Sequence, residues 1–182
     1  MPGLAIKKTF YHPKIDVQAR KDFQNKLQAY EACDTPIIYV DESGFAHDMP
    51  RLYGDSMKGK RCYGQHDWHA KARTNVIGAQ LNGKLTTVCT FDCHINSDIF
   101  HAWVMQDLLP KSPQGAVIVM DNVSFHKRQD TQAAIQKAGF ILEYLPTYSP
   151  DMNPIEHKWA QAKALRRKRQ CDIHTLFSAP LF

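Results

Sequence analysis

Two short apolar runs, Ile37–Val40 and Ala116–Met120, each end on an aspartate, Asp41 and Asp121. Runs of this kind, rich in β-branched residues, predict buried strands. An aspartate at the C-terminal end of such a strand emerges at the sheet edge, where open α/β sheets place their ligands. Carboxylates gathered there repel one another unless a cation neutralises them, which points to hard, oxygen-seeking Mg²⁺ or Mn²⁺. Taken singly, either aspartate fits a solvated loop equally well, because Asp favours strand ends and turns.

The segments between and after them complete a sheet. NVIGAQL and KLTTVCTF are joined by Asn82-Gly83, a strong hairpin signal. Asn96 or Ser97 is placed to cap a helix, NSDIFHAWVMQDLL, that stops at Pro110. KRQDTQAAIQKAG reads as a helix closed by Gly139, and FILEYLP follows as a strand. Beyond the turn-rich TYSPDMNP, a last helix runs from Pro154 to about Arg169. The order is β-β-β-α-β-α-β-α. Short connections make the first three strands antiparallel, and helical crossovers make the later ones parallel. An α/β fold with a mixed sheet and helices on its faces follows, the topology also found in ribonuclease H-like domains. Ahead of it, Phe23, Leu27 and Tyr30 recur at helical spacing before Asp34-Thr35-Pro36 interrupts the helix. Residues 1–35 are expected to be an arm or connector, 36–170 the catalytic domain and 171–182 a C-terminal tail.

Glu156 is open to two readings. Asn153-Pro154-Ile155-Glu156 has the form of a helix start, with Asn as N-cap, Pro at the first helical position and Glu closing a capping box. Ile155, Trp159 and Ala162 form one apolar stripe, which would pack the helix on the sheet and leave Glu156 at its margin, near the same edge as the aspartates. Among other acids, Glu42 is expected on the opposite strand face from Asp41. Glu143 lies within a strand, and Asp151 is the substitute for Glu156 as third ligand.

Charge and cysteines narrow the setting. The chain carries a net charge of +5, and its last helix concentrates Lys158, Lys163, Arg166, Arg167, Lys168 and Arg169 without an acid from His157 to Gln170. Such a helix suits phosphate contact, although cations also suit a helix C-terminus. The five cysteines, Cys33, Cys62, Cys89, Cys93 and Cys171, form no CxxC pair and no disulfide framework, as expected in a reducing compartment. Cys89 and Cys93 are expected to share a core face, and neither they with His94 nor the pair His66 and His69 stands at zinc-finger spacing. No run approaches the roughly 20 apolar residues of a membrane span. Nor does the N-terminus carry a secretory signal, so a cytoplasmic, nucleoid-associated protein is expected.

The blocks IIYVDESGF, VIVMDNVSFHK and LEYLPTYSPDMNPIEHKWAQAK resemble those of the mariner superfamily of DDE transposases, in particular its bacterial insertion-sequence branch, insertion sequence group 630. The resemblance spans residues 36 to about 170, and 34 residues separate Asp121 from Glu156 as in that superfamily. It implies a ribonuclease H-like fold and an acidic triad of Asp41, Asp121 and Glu156 holding two Mg²⁺ or Mn²⁺ ions, Asp41 bridging them. It further implies cut-and-paste transposition of DNA, with transposon ends and TA-containing target as partners and a probable homodimer in the active complex. His126 and Lys127 have two readings, contact with phosphate beside the basic residues of the last helix or fixing of their own loop; Asn122 has no assigned role.

Family members normally carry N-terminal helix-turn-helix modules, for which this chain leaves no room. A separately encoded helix-turn-helix subunit, an N-terminally truncated product or a decayed copy would account for that, and autonomous activity is therefore open. Two other functions compete. One is a non-catalytic or inhibitory fragment that binds DNA or a partner transposase; the other is a different ribonuclease H-like nuclease.

Overall fold

The computed structural model describes residues 13–47, 56–61, 63 and 72–178. Cys62, His66 and His69 lie outside the described residues. Five strands form one mixed sheet in the order β3-β2-β1-β4-β5, with β1 at Ile37–Ala46, β2 at Arg73–Leu81, β3 at Lys84–Phe91, β4 at Val117–Met120 and β5 at Ile141–Tyr144. The pairs β1–β2 and β2–β3 are antiparallel, while β1–β4 and β4–β5 are parallel. The expected α/β fold and its strand directions are therefore found. Asn82 and Gly83 both take positive φ (49° and 74°), as a tight two-residue hairpin with the right twist requires.

Strand alternation divides the core in two. On one face, Ile38, Val40, Ile77, Ala79, Ile118 and Met120 pack against α2 (Ser97–Trp103) and α4 (Gln129–Lys137) through Phe100, Trp103 and Ile135. The other face meets α1 (Val17–Ala32), α5 (Ile155–Arg169) and α6 (Ile173–Ser178). There Phe23 packs with Val117, Val119 and Leu145, while Ile155, Trp159 and Ala162 pack with Phe45 and Val76. The stripe expected on α5 is fully buried, while on α1 Phe23 is buried and Leu27 and Tyr30 are half-buried against the same cluster.

Several local expectations need correction. β1 runs on to Ala46 instead of stopping at Asp41, because β2 pairs with it from Ile38 to Ala46. Pro110 does not end its helix. The backbone widens into a π-helical turn over Val104–Leu108 and closes with α3 (Leu109–Lys111). A wider turn relieves both the missing proline N–H and the clash of its ring with the preceding turn. Cys93 lies past the end of β3 and is exposed, so it shares no core face with Cys89, whose thiol instead donates to Asp107 Oδ2 at 2.8 Å. Asn96, by contrast, caps α2 as expected, accepting from the N–H groups of Asp98 and Ile99.

Helix α1 is joined to the domain by more than its stripe. Arg20 makes a two-pronged ion pair with Asp151 at 2.9 and 2.6 Å, and Lys26 and Tyr30 both bond to Glu143. If the helix is part of the same cooperative unit, Phe23→Ala should destabilise the chain by about 3 kcal/mol, the usual cost of emptying a buried aromatic site. Urea denaturation followed by circular dichroism should then show one transition moved to lower denaturant. Early loss of a small helical fraction, with the main transition unmoved, would instead mark α1 as an independent arm.

Candidate metal-binding active site

The parallel pairing of β1 with β4 matches Ile37 with Val117, Ile38 with Ile118 and Tyr39 with Val119. Continued by two residues, that register brings Asp41 level with Asp121. β4 has stopped by then, whereas β1 continues beside β2 alone. A cavity of about 280 Å³ opens at this step, lined by Asp41, Asp121 and Asn122, by the loop from Leu145 to Pro150, and by Asn153 and Glu156 at the start of α5.

The three acids sit differently. Asp41 is only 8% exposed and accepts a hydrogen bond from the Trp159 indole N–H, Nε1 to Oδ2 at 3.1 Å. Gly78 stands opposite Asp41 on β2, and a Cβ there would lie 2.5 Å from the edge of the Trp159 ring. The glycine is thus the gap through which the indole reaches the carboxylate. Burial, then the neighbouring charges of Glu156, Glu42 and Asp121, push the Asp41 carboxyl up to about 8. Glu156 is exposed in the first turn of α5. No side chain caps that helix, and the buried Asn153 Oδ1 has no hydrogen-bond partner, so the capping box is not formed.

Asp121 is held from behind. His126 is fully buried in the 3₁₀ turn Ser124–Lys127, with Nδ1 2.5 Å from Asp121 Oδ1 and Nε2 2.8 Å from Glu42 Oε1. Burial alone would lower the imidazole pKa, but its hydrogen bonds and charge contacts with Asp121 and Glu42 outweigh that and raise it to about 9. Glu42 does leave β1 on the face opposite Asp41, as alternation requires, yet His126 connects it to Asp121. The ligand atoms of Glu42, Asp121 and His126 lie within 4.8 Å of one another, the tight acid and histidine group among the described residues. The two imidazole nitrogens point in opposite directions, so this group is an ion-paired chain and not a chelate. Asp41, Asp121 and Glu156 share the cavity wall without closing to that distance.

The expected phosphate-contact residues separate into two sets. His126 is inaccessible, and Arg166 is buried with its guanidinium donating to the carbonyls of Ala46 (2.5 Å) and Cys171 (3.3 Å). Both are therefore removed from the contact set. Lys127 is exposed beside Tyr144, and Lys163 lies over the Phe45 ring. Lys158 is half-buried, while Arg167, Lys168 and Arg169 are exposed on the last turn of α5. Asp151, the alternative third ligand, is engaged by Arg20, whose hydrogen bonds hold its carboxyl below the usual range. The Glu42–His126 link and the Trp159 bond to Asp41 were missed in the sequence. A lone glycine inside the strand NVIGAQL was the available signal for a close approach at Gly78.

The family model for DDE superfamily endonucleases matches residues 36–175. No curated protein matches the sequence. Solved structures with the same fold include the Mos1 strand transfer complex, with a TM-score of 0.71 at 13% identity over 91% of this chain and 53% of that one. Another is the mariner Mos1 paired-end complex with Mg, at TM-score 0.70 and 13% identity over 92% and 54%. The Mos1 transposase catalytic domain with raltegravir and Mg matches at TM-score 0.62 and 10% identity over 88% and 76%. Identities this low establish the fold, and the chain spans about half the length of the full Mos1 chains it matches. Among the described residues no helix is long and apolar enough to cross a membrane.

A raised folded-state pKa has a definite sign. Below about pH 4 Asp41 is protonated both folded and unfolded, and contributes nothing. Between 4 and 8 only the unfolded chain ionises fully, so stability is lost progressively as pH rises through that window. Asp41→Asn keeps an acceptor for the Trp159 N–H but abolishes this effect. Without divalent ions it should be more stable than the parent at pH 7.5, by on the order of 2 kcal/mol or more, and equal to it near pH 4. Thermal unfolding of both proteins across that range checks this; a variant less stable at pH 7.5 would contradict the proposed electrostatic strain.

Proposed function

The chain belongs to the family of DDE superfamily endonucleases, and we propose that it is the catalytic core of a DNA transposase of the mariner superfamily, in its insertion sequence group 630 branch. The observation that carries this reading is that Asp41 and Asp121 line one cavity at the step where β1 outlasts β4, with Glu156 in the wall of the same cavity. The transposase fold of the similar structures supports it.

The donor set fits hard divalent ions. All three are carboxylates, and the Asp41 carboxyl is raised first by its burial and then by the charges of Glu156, Glu42 and Asp121, both of which a bound cation would offset. Asp41, Asp121 and Glu156 would hold two Mg²⁺ or Mn²⁺ ions. When bound, the ions supply Lewis acidity and charge neutralisation for in-line displacement at phosphorus. The residues of the chain orient and exclude. Trp159 fixes one Asp41 oxygen and leaves the other for ligation, while Leu145, Pro146 and Val123 line the cavity with apolar surface. Water attack on the phosphodiester at an element's end breaks its P–O3′ bond, leaving a 3′-hydroxyl and a 5′-phosphate; attack of that 3′-hydroxyl on a phosphate of TA-containing target DNA forms the new ester bond and releases the target strand's own 3′-hydroxyl. Both steps are phosphoryl transfers and need only one carboxylate cage. Lys127, Lys158, Lys163 and the exposed Arg167, Lys168 and Arg169 position backbone phosphates without reading bases. Recognition of the transposon ends is assigned to helix-turn-helix modules supplied with this core, and the joining of two ends to a homodimer in the cytoplasm, at the nucleoid.

Asp121→Asn removes a charge and little volume. It should leave the fold intact and lower Mg²⁺-dependent cleavage of end-containing DNA by at least about 10²-fold, as removal of one preorganised group at a reacting centre does. The assay compares the two proteins with and without a helix-turn-helix subunit, and unchanged cleavage by folded Asp121→Asn would remove this residue from the chemistry. Neutralising Arg167, Lys168 and Arg169 together should weaken binding to every duplex alike, reducing the salt slope by roughly one unit per lost contact. Salt titrations on end-containing and scrambled duplexes measure this; a loss confined to the end sequence would mean that α5 reads bases.

A further inference from the structure

Asp41 and Glu42 are adjacent in β1 and leave it on opposite faces. Asp41 lines the cavity. Glu42 reaches past the end of β4 to His126, and His126 touches the rear of Asp121. One strand thereby carries one carboxylate of the site and the anchor for the other. We infer that the Glu42–His126 pair is a positioning device that fixes the Asp121 carboxylate, engaging Oδ1 so that Oδ2 alone is presented to a divalent ion.

Four observations carry this. Asp121 Oδ1 is buried against the ring, so the exposed part of a side chain that is 36% accessible is its other oxygen. His126 has no freedom to turn, because Phe100 and Phe125 flank its ring with centroids 4.2 and 4.3 Å away. Its turn is tied down as well, since the Tyr144 hydroxyl donates to the His126 carbonyl at 3.1 Å. Finally, both ring nitrogens face carboxylate oxygens, Nε2 in a hydrogen bond to Glu42 Oε1 at 2.8 Å and Nδ1 in ion-pair contact with Asp121 Oδ1 while bonding to the Asp121 carbonyl at 3.2 Å, so the ring spans the two acids. Glu42, whose side chain is 18% exposed, has His126 as its side-chain partner among the described residues. Partners of ligating carboxylates act in this way generally, and their loss costs about 10–100-fold in metal affinity.

The inference rests on the reading of Asp121 as a metal ligand, and the test separates the two. Mn²⁺ binding to the full chain is measured by calorimetry, beside the melting temperature, for the parent and four variants. Asp121→Asn tests the reading. His126→Asn sets an amide nitrogen where Nδ1 stood and keeps the donor to Asp121; His126→Gln sets it where Nε2 stood and loses that donor. Glu42→Gln removes the anchoring charge. Both histidine variants should melt at lower temperature, because each fills less of the space between the two phenyl rings. Mn²⁺ affinity should split them: roughly 10–100-fold weaker for His126→Gln, near the parent value for His126→Asn, and intermediate for Glu42→Gln. Equal affinity in both histidine variants would show that the ring merely fills space and would overturn the inference, even where Asp121→Asn abolishes binding and the metal-site reading survives. Mn²⁺ binding untouched by Asp121→Asn would overturn the reading and the inference with it. Should the histidine variants fail to fold, Glu42→Gln at its partly open position decides the matter, and parent affinity there counts against the proposal.

Discussion

The burial of one carboxyl group beside other acids, enforced by strand pairing, is the constraint around which this domain is organised. β1 and β4 run parallel in register, and β4 stops just short of the level at which Asp41 and Asp121 stand side by side. Because β1 is held along its length by β2, Asp41 cannot swing out with a fraying strand end. It stays buried among acids and keeps its proton up to about pH 8. That arrangement costs folding free energy at neutral pH, and ordinary packing has no use for it. Its relief by a hard divalent ion is the physical content of the functional proposal.

The rest of the fold holds this strain in place from two sides. From the α5 face, the Trp159 ring slides across Gly78 and donates to Asp41, so a residue of the apolar stripe also sets the carboxylate's direction. On the α2 face, Phe100 and Phe125 clamp His126 against Asp121. Core packing and site geometry are consequently inseparable. The side chains that touch the two aspartates are the same ones that fill the interior, and His126 and Trp159 are both buried against a carboxyl group. Polar contacts in so dry a setting are strong when complete and costly when broken.

How much of this the sequence disclosed follows from the range of each interaction. Local rules were sufficient for the Asn82-Gly83 hairpin, the Asn96 cap and the α1 and α5 stripes, since each is decided within one or two turns of chain. The same was true of the two aspartates as strand-borne acids. The length of β1 was not legible, because Ser43 and Gly44 look like a turn and become strand only through pairing with Asn75 and Val76. Nor was the Glu42–His126 bond, which joins residues 84 positions apart. Arg166 was legible and was misjudged. It falls eleven residues after Ile155, four after Ala162, and so continues the buried stripe. Its charge suggested solvent, whereas its position demanded burial with carbonyl partners.

The burial of Arg166 also reshapes what α5 does on the proposed function. The accessible cations of its last turn, Arg167 to Arg169, follow Glu156 by 11 to 13 residues. At 1.5 Å per residue that places them about 16–20 Å along the helix axis from the acid. DNA advances about 3.4 Å per base pair, so a duplex lying along α5 would meet these cations roughly five to six base pairs away from the reacting phosphate. Charge at that distance would neither polarise the scissile bond nor crowd the carboxylates proposed to hold the ions. On the proposed function it would set the register and angle of the duplex, with Lys158 and Lys163 covering the interval between. A helix that began acidic and ended basic in this way would separate chemistry from grip along one rigid rod. Its buried stripe of Ile155, Trp159, Ala162 and Arg166 keeps the rod from turning.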